Sequence, residues 1–150
     1  MNVFEILTAL SPIVLMVVAT HILIRQYQLD KKRFRLEHFD QRYAIYKSVL
    51  KYLTDLVSNA DTTIDKMFEF KKNTSDVSIF FDKEIKEHID DIYSKAIELR
   101  HSVRMLNHER IEYSDEKRAR LVEKESEILK WLGDQFTVCE ELFVKYLKID

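Results

Sequence analysis

The side chains with which this chain could do chemistry are five histidines, one cysteine and a run of arginines in its second half. Within "RHSVRMLNH", Arg100 and Arg104 offer cations for a phosphate and His108 offers an imidazole base. Together these are what RNA cleavage at a ribose hydroxyl requires. The same residues also suit the solvated end of a helix. Glu98-Leu99-Arg100-His101 matches the Glu-x-x-His half-site of di-iron carboxylate bundles, but such a centre needs two copies and two further carboxylates. One copy exists, and Ala96, Leu99 and Val103 mark the buried side, which turns Glu98 and His101 toward solvent. No metal is expected. Cys139, the single cysteine, cannot form an intrachain disulfide and reads as a small buried apolar residue with no base beside it. A single glycine removes the loops that cradle nucleotide phosphates, and no HExxH, CxxC or GxSxG occurs, so no cofactor is expected.

The elements that would position these residues are helices. One Gly and one Pro in 150 residues leave almost nothing that could make hairpins or strand turns. From Leu29 a seven-residue pattern sets Leu29, Leu36, Tyr43, Leu50 and Val57 at one position and Phe39, Tyr46 and Leu53 at a second. That is one stripe on a long helix, to be closed by helices of the same chain or of a neighbouring subunit. Asp61 suits the cap of a short helix, "TTIDKMFEFKK", with an apolar face of Ile64, Met67, Phe68 and the stem of Lys71, and "VSIFFDKE" reads as a turn, with a brief strand as the alternative, ahead of a cap at Asp82. Ile85, Ile89, Ile92, Ala96, Leu99, Val103 and Leu106 alternate by four and three on the next helix. After Ser114, Leu121, Ile128, Leu132, Phe136, Cys139, Leu142 and Tyr146 continue on a last one, where Gly133 would let Trp131 or a facing aromatic pack close. The acid-rich "DKEIKEHIDD" reads as a solvated face.

Residues 6–24 contain no Asp, Glu, Lys or Arg. At ~1.5 Å rise per residue they are close to the minimum that crosses a ~30 Å hydrocarbon core. No Lys or Arg precedes Arg25 and no small-x-small cleavage site stands near Ala19, so the segment reads as a retained anchor and not as a secretory signal. Arg25, Lys31, Lys32, Arg33, Arg35 and Arg42 follow it, placing the N-terminus outside and the rest in the cytoplasm by the positive-inside rule, with the first five at lipid headgroups. In the cytoplasm the Asn73-Thr74-Ser75 sequon would be silent. Thr8, Ser11 and Thr20 give the span a polar face that would either bond back to its own helix or line a path between associated helices. A net charge of −2 makes no case for nucleic acid.

The stretches "KKRFRLEHFDQRYAIYKSVLKYL", "FFDKEIKEHIDDIYSKAIELR" and "ESEILKWLGDQF" resemble a widespread group of small bacterial proteins with a leading hydrophobic helix, a basic Leu-x-x-Phe-x-x-Arg segment (Leu36, Phe39, Arg42) with a following Tyr46, and a helical domain. That group carries no agreed activity to transfer. In architecture the chain is also similar to CRISPR-associated membrane proteins that join an N-terminal helix to a HEPN-like bundle and assemble into pores. That resemblance implies an Arg, four to six residues, then His. Arg100 to His108 and Arg104 to His108 both miss this spacing, while Arg33 to His38 meets it beside the membrane.

The expectation is therefore an all-α protein: a transmembrane helix over residues 1–25, continuous with the first long helix of an antiparallel three- to four-helix bundle over residues 26–150. It would be a single-pass inner-membrane scaffold or accessory protein that contacts the lipid bilayer, forms homo-oligomers or binds a protein partner, and has no specific affinity for nucleic acid. The alternatives are an oligomeric membrane pore of antiviral defence and a HEPN-like ribonuclease on Arg100, Arg104 and His108.

Overall fold

A computed structural model describes residues 3–107 and 114–148, with backbone alone for residues 3–11 and 13. The chain runs α1 (Val3–Asn59), α2 (Ile64–Asn73), α3 (Val77–Phe80), α4 (Lys83–Leu106) and α5 (Asp115–Val144), and no strand occurs among the described residues. "VSIFFDKE" accordingly folds as the single turn α3 and the start of α4. The chain divides into two compact units, Met1–His38 and Phe39–Asp150.

Among the described residues the first unit is the N-terminal part of helix α1. Pro12 and every residue from 14 to 37 are exposed, whatever their polarity. Among the described residues no helix is long and apolar enough to cross a membrane, and the side chains of Thr8 and Ser11 lie outside the described set.

The second unit is a helical bundle. Its neighbours run antiparallel, as the side-chain contacts require. Glu84, His88 and Glu98 of α4 meet Lys145, Cys139 and Lys124 in that order, so one index rises as the other falls. Lys51 and Asp55 of α1 meet Glu69 and Lys66 of α2 in the same sense. The core holds Val49, Leu53 and Leu56 from α1, Ile85, Ile89, Ile92 and Leu99 from α4, and Leu132, Cys139 and Phe143 from α5.

Helix α4 buries the stripe read from the sequence, Ile85 through Leu99, with Val103 packed against it. Helix α1 does not follow its seven-residue row. It buries Ile45, Val49, Tyr52, Leu53 and Leu56, while Tyr43 and Val57 remain 43% and 39% exposed. The reason is the helical period. A straight helix repeats every 3.6 residues, so a strict seven-residue row drifts by ~20° per heptad away from the face that its own bundle covers.

Helix α2 departs from expectation in its cap and its face. Thr63 is the N-cap, its Oγ1 accepting from the Lys66 N–H, while Asp61 Oδ1 accepts from the Thr62 N–H at 2.6 Å in the preceding turn. Starting there, α2 buries Met67 and Phe70, with Phe70 stacked on Tyr52 at 4.2 Å, and leaves Ile64 and Phe68 in solvent. Thr74 closes the helix with its hydroxyl donating to the Phe70 carbonyl. Asp82 and Ser114 occupy the N-caps of α4 and α5 but make no side-chain cap bond.

Gly133 does not serve close packing: a Cβ built there meets nothing within 4 Å. It therefore carries only the backbone entropy of a helical glycine. Gly133→Ala should raise the unfolding free energy by up to ~1 kcal/mol, read as a higher urea midpoint with an unchanged slope.

Candidate functional site

The Arg100 and Arg104 side chains line one surface hollow at the end of α4, together with Ile97, His101 and Met105. Helical spacing brings them there, since residues 97, 100, 101, 104 and 105 share one side. His108 lies outside the described residues. Arg100 is not free for a substrate. Its Nη1 donates to the Thr62 carbonyl, and Thr62 is buried with its hydroxyl 3.5 Å from the Tyr52 hydroxyl. Arg100 therefore ties α4 to the α1–α2 turn, where Ala60 holds a positive φ of 49°. His101 and Arg104 are exposed. The hollow offers one exposed cation and one exposed imidazole on an open wall, with nothing described that would exclude water or orient a ribose.

Glu98 pairs with Lys95 and Lys124, and no group of three His, Cys, Asp or Glu among the described residues could hold a metal.

A different pair of chemical groups does meet. His88 Nε2 lies 3.3 Å from Cys139 Sγ, between α4 and α5. No base stands near Cys139 in the sequence. Yet reflecting an antiparallel α4–α5 pair about the connection at residues 107–114 brings Cys139 opposite the first turns of α4, and that signal would have found the histidine. The pair is not an activated nucleophile. Cys139 has no exposed surface, and burial pushes its thiol up to about 12. Burial also pulls the His88 imidazole below its ordinary value, with Asp91 opposing weakly. Both effects favour the neutral thiol and neutral imidazole over the thiolate and imidazolium that a nucleophilic cysteine needs.

Arg42, half-buried, is likewise engaged with the bundle. Its Nε donates to the Phe80 carbonyl at 3.2 Å and its Nη1 to the Tyr146 carbonyl at 3.4 Å, with the guanidinium over the Tyr146 ring. The Tyr146 hydroxyl donates to Asp82 Oδ2, which holds the phenol above its ordinary range. Phe81 and Phe143 pack edge to face beneath.

In the first unit, Arg25, Lys31, Lys32, Arg33 and Arg35 are all exposed, and Phe34 rests against the His38 ring at 4.2 Å. The Thr20 hydroxyl donates to the Met16 carbonyl at 2.8 Å, so it is satisfied by its own helix. Compared with known proteins, the chain matches no family model, no curated protein and no solved structure.

Two measurements test this assignment. His88 has a folded pKa below its unfolded one, so the unfolded chain takes up the proton first as pH falls. The stability held by the neutral ring is present above the unfolded value near 6.5 and declines as pH drops from there toward the depressed folded value. Urea unfolding from pH 7.5 to 5 should show this decline, and His88→Gln should flatten it. Arg100→Ala should lower stability by ~1–3 kcal/mol through the buried Thr62 carbonyl, whereas Arg104→Ala should change it by less than ~0.5 kcal/mol.

Proposed function

We propose that the chain is a membrane-tethered helical scaffold: residues 6–24 lie in the bilayer, the N-terminus is outside, and the bundle of residues 39–150 works at the cytoplasmic face, self-associating or holding a protein partner. The observation that carries this reading is the mostly apolar exposed stretch from Val14 to Ile24, interrupted by Thr20 and His21 but free of Asp, Glu, Lys and Arg, followed at once by exposed Arg25 and the bases of residues 31–35. Apolar side chains left in water lose roughly 25 cal/mol per Å² relative to an apolar surrounding. Val14–Val18 and Ile22–Ile24, exposed along one stretch of helix, form a surface in search of hydrocarbon or protein. The bases that follow suit anionic headgroups, each gaining about 1 kcal/mol near such a surface.

The pore reading needs hydroxyls turned to an aqueous path, and the Thr20 bond to Met16 favours the tether instead. The ribonuclease reading loses Arg100 to the Thr62 carbonyl.

The full chain mixed with vesicles containing anionic lipid should float with them through a density gradient and remain bound in alkaline carbonate. Val14→Asp with Val17→Asp should abolish flotation, since each charge near a span's centre costs about 3 kcal/mol. Wild-type protein that stays at the bottom of the gradient overturns the reading.

A further inference from the structure

Along the first unit Leu15, Ile22, Leu29 and Leu36 recur every seven residues, and they are 66%, 48%, 55% and 53% exposed. Nothing described in the chain covers this row. A strict seven-residue repeat is not what burial by a straight helix needs, as the face that α1 buries in its own bundle illustrates. It is what two helices keep when they supercoil about each other.

The charges beside the row select the partner. With the row at the d positions of a heptad, Arg25 and Lys32 are g residues, and Asp30 and Glu37 are the e residues of the heptads that follow. Five residues separate each base from its acid, beyond the three- or four-residue reach of pairs on one helix. None of these four residues makes an ion pair with another described residue, and all four are exposed. In a parallel, in-register pair of copies, g meets the next e of the other helix, so Arg25 meets Asp30 and Lys32 meets Glu37, twice each by symmetry. An antiparallel pair would set base against base and acid against acid. Placing the row at a instead would bring Arg25 and Lys32 to the seam against their own copies.

We infer that the row Ile22, Leu29 and Leu36 is the seam of a parallel pairing with a second copy of this chain, its register fixed by Arg25–Asp30 and Lys32–Glu37 across the seam. The inference rests on the tether reading for its strength. Gln26 and Arg33 occupy the intervening a positions and weaken the seam, as polar a residues do in return for fixing register. Two copies anchored side by side in one membrane meet at a high effective concentration, which lets a weak seam close. Anchors of one topology also bring the helices together parallel.

The test uses the full chain in vesicles, with one added cysteine at a time and the buried Cys139 retained in every variant and in the wild-type control. Under mild copper-catalysed oxidation, Leu29→Cys and Leu36→Cys should form disulfide dimers at least ~10-fold faster than Lys31→Cys and Phe34→Cys on the outer side of the same turns. Adding Lys32→Glu to Leu36→Cys should slow dimer formation, and adding Glu37→Lys to that variant should restore it. Equal rates at all four positions, no dimer at 29 and 36, or a charge swap that fails to restore the rate each overturns the inference, the first being the outcome if lipid or another protein covers the row. Flotation is measured on the same samples. If the chain does not float, the tether reading falls. The position-dependent rates, measured at high protein concentration without vesicles, then decide the pairing separately.

Discussion

The guanidinium of Arg42 is the point at which the bundle is closed. It reaches from α1 to the carbonyl of Phe80 at the end of α3 and to that of Tyr146 past the end of α5, so segments 104 residues apart in sequence share one side chain. A planar fork of donors satisfies two carbonyls at once, which a lysine ammonium at the end of a flexible stem would do with less fixed geometry. Around it Tyr46, Phe81, Phe143 and Tyr146 form a ring-on-ring cluster, and the Tyr146 hydroxyl returns to Asp82. These contacts are consistent with the order of the helices, which the shared apolar core holds. The end of α3, from which α4 starts, and the end of α5 both meet Arg42, in keeping with the antiparallel packing of α4 on α5.

The legibility of each element depended on what set its pattern. Helix α4 is buried along one face for most of its length, so its spacing of four and three reads directly as core. Helix α1 carries two patterns at once, the 3.6-residue face of Ile45, Val49, Leu53 and Leu56 and the seven-residue row through Leu29 and Leu36. Reading them as one stripe put Tyr43 and Val57 in the core, where they are not. In α2 a string of turn-forming residues leaves the cap open between Asp61 and Thr63, and the buried face is set by packing, with Phe70 stacked on Tyr52 of α1, which local spacing does not reveal. The pairing of His88 with Cys139 needed tertiary register, which local periodicity does not supply.

The arginine nearest to a catalytic role is engaged in holding a turn, and the thiol with a histidine beside it is buried in a setting that keeps both neutral. What the molecule presents to its surroundings is surface: an exposed apolar run, a basic stretch and a heptad row on α1.

The sulfur of Cys139 has a use beyond packing. With no exposed area and a proton it does not readily give up, it is shielded from alkylating agents and oxidants as long as α4 and α5 stay together. Once they part, it becomes an ordinary thiol. The chain thus contains its own clock for opening: the rate at which an alkylating reagent marks that one atom counts how often the two helices separate, without any label having to be introduced.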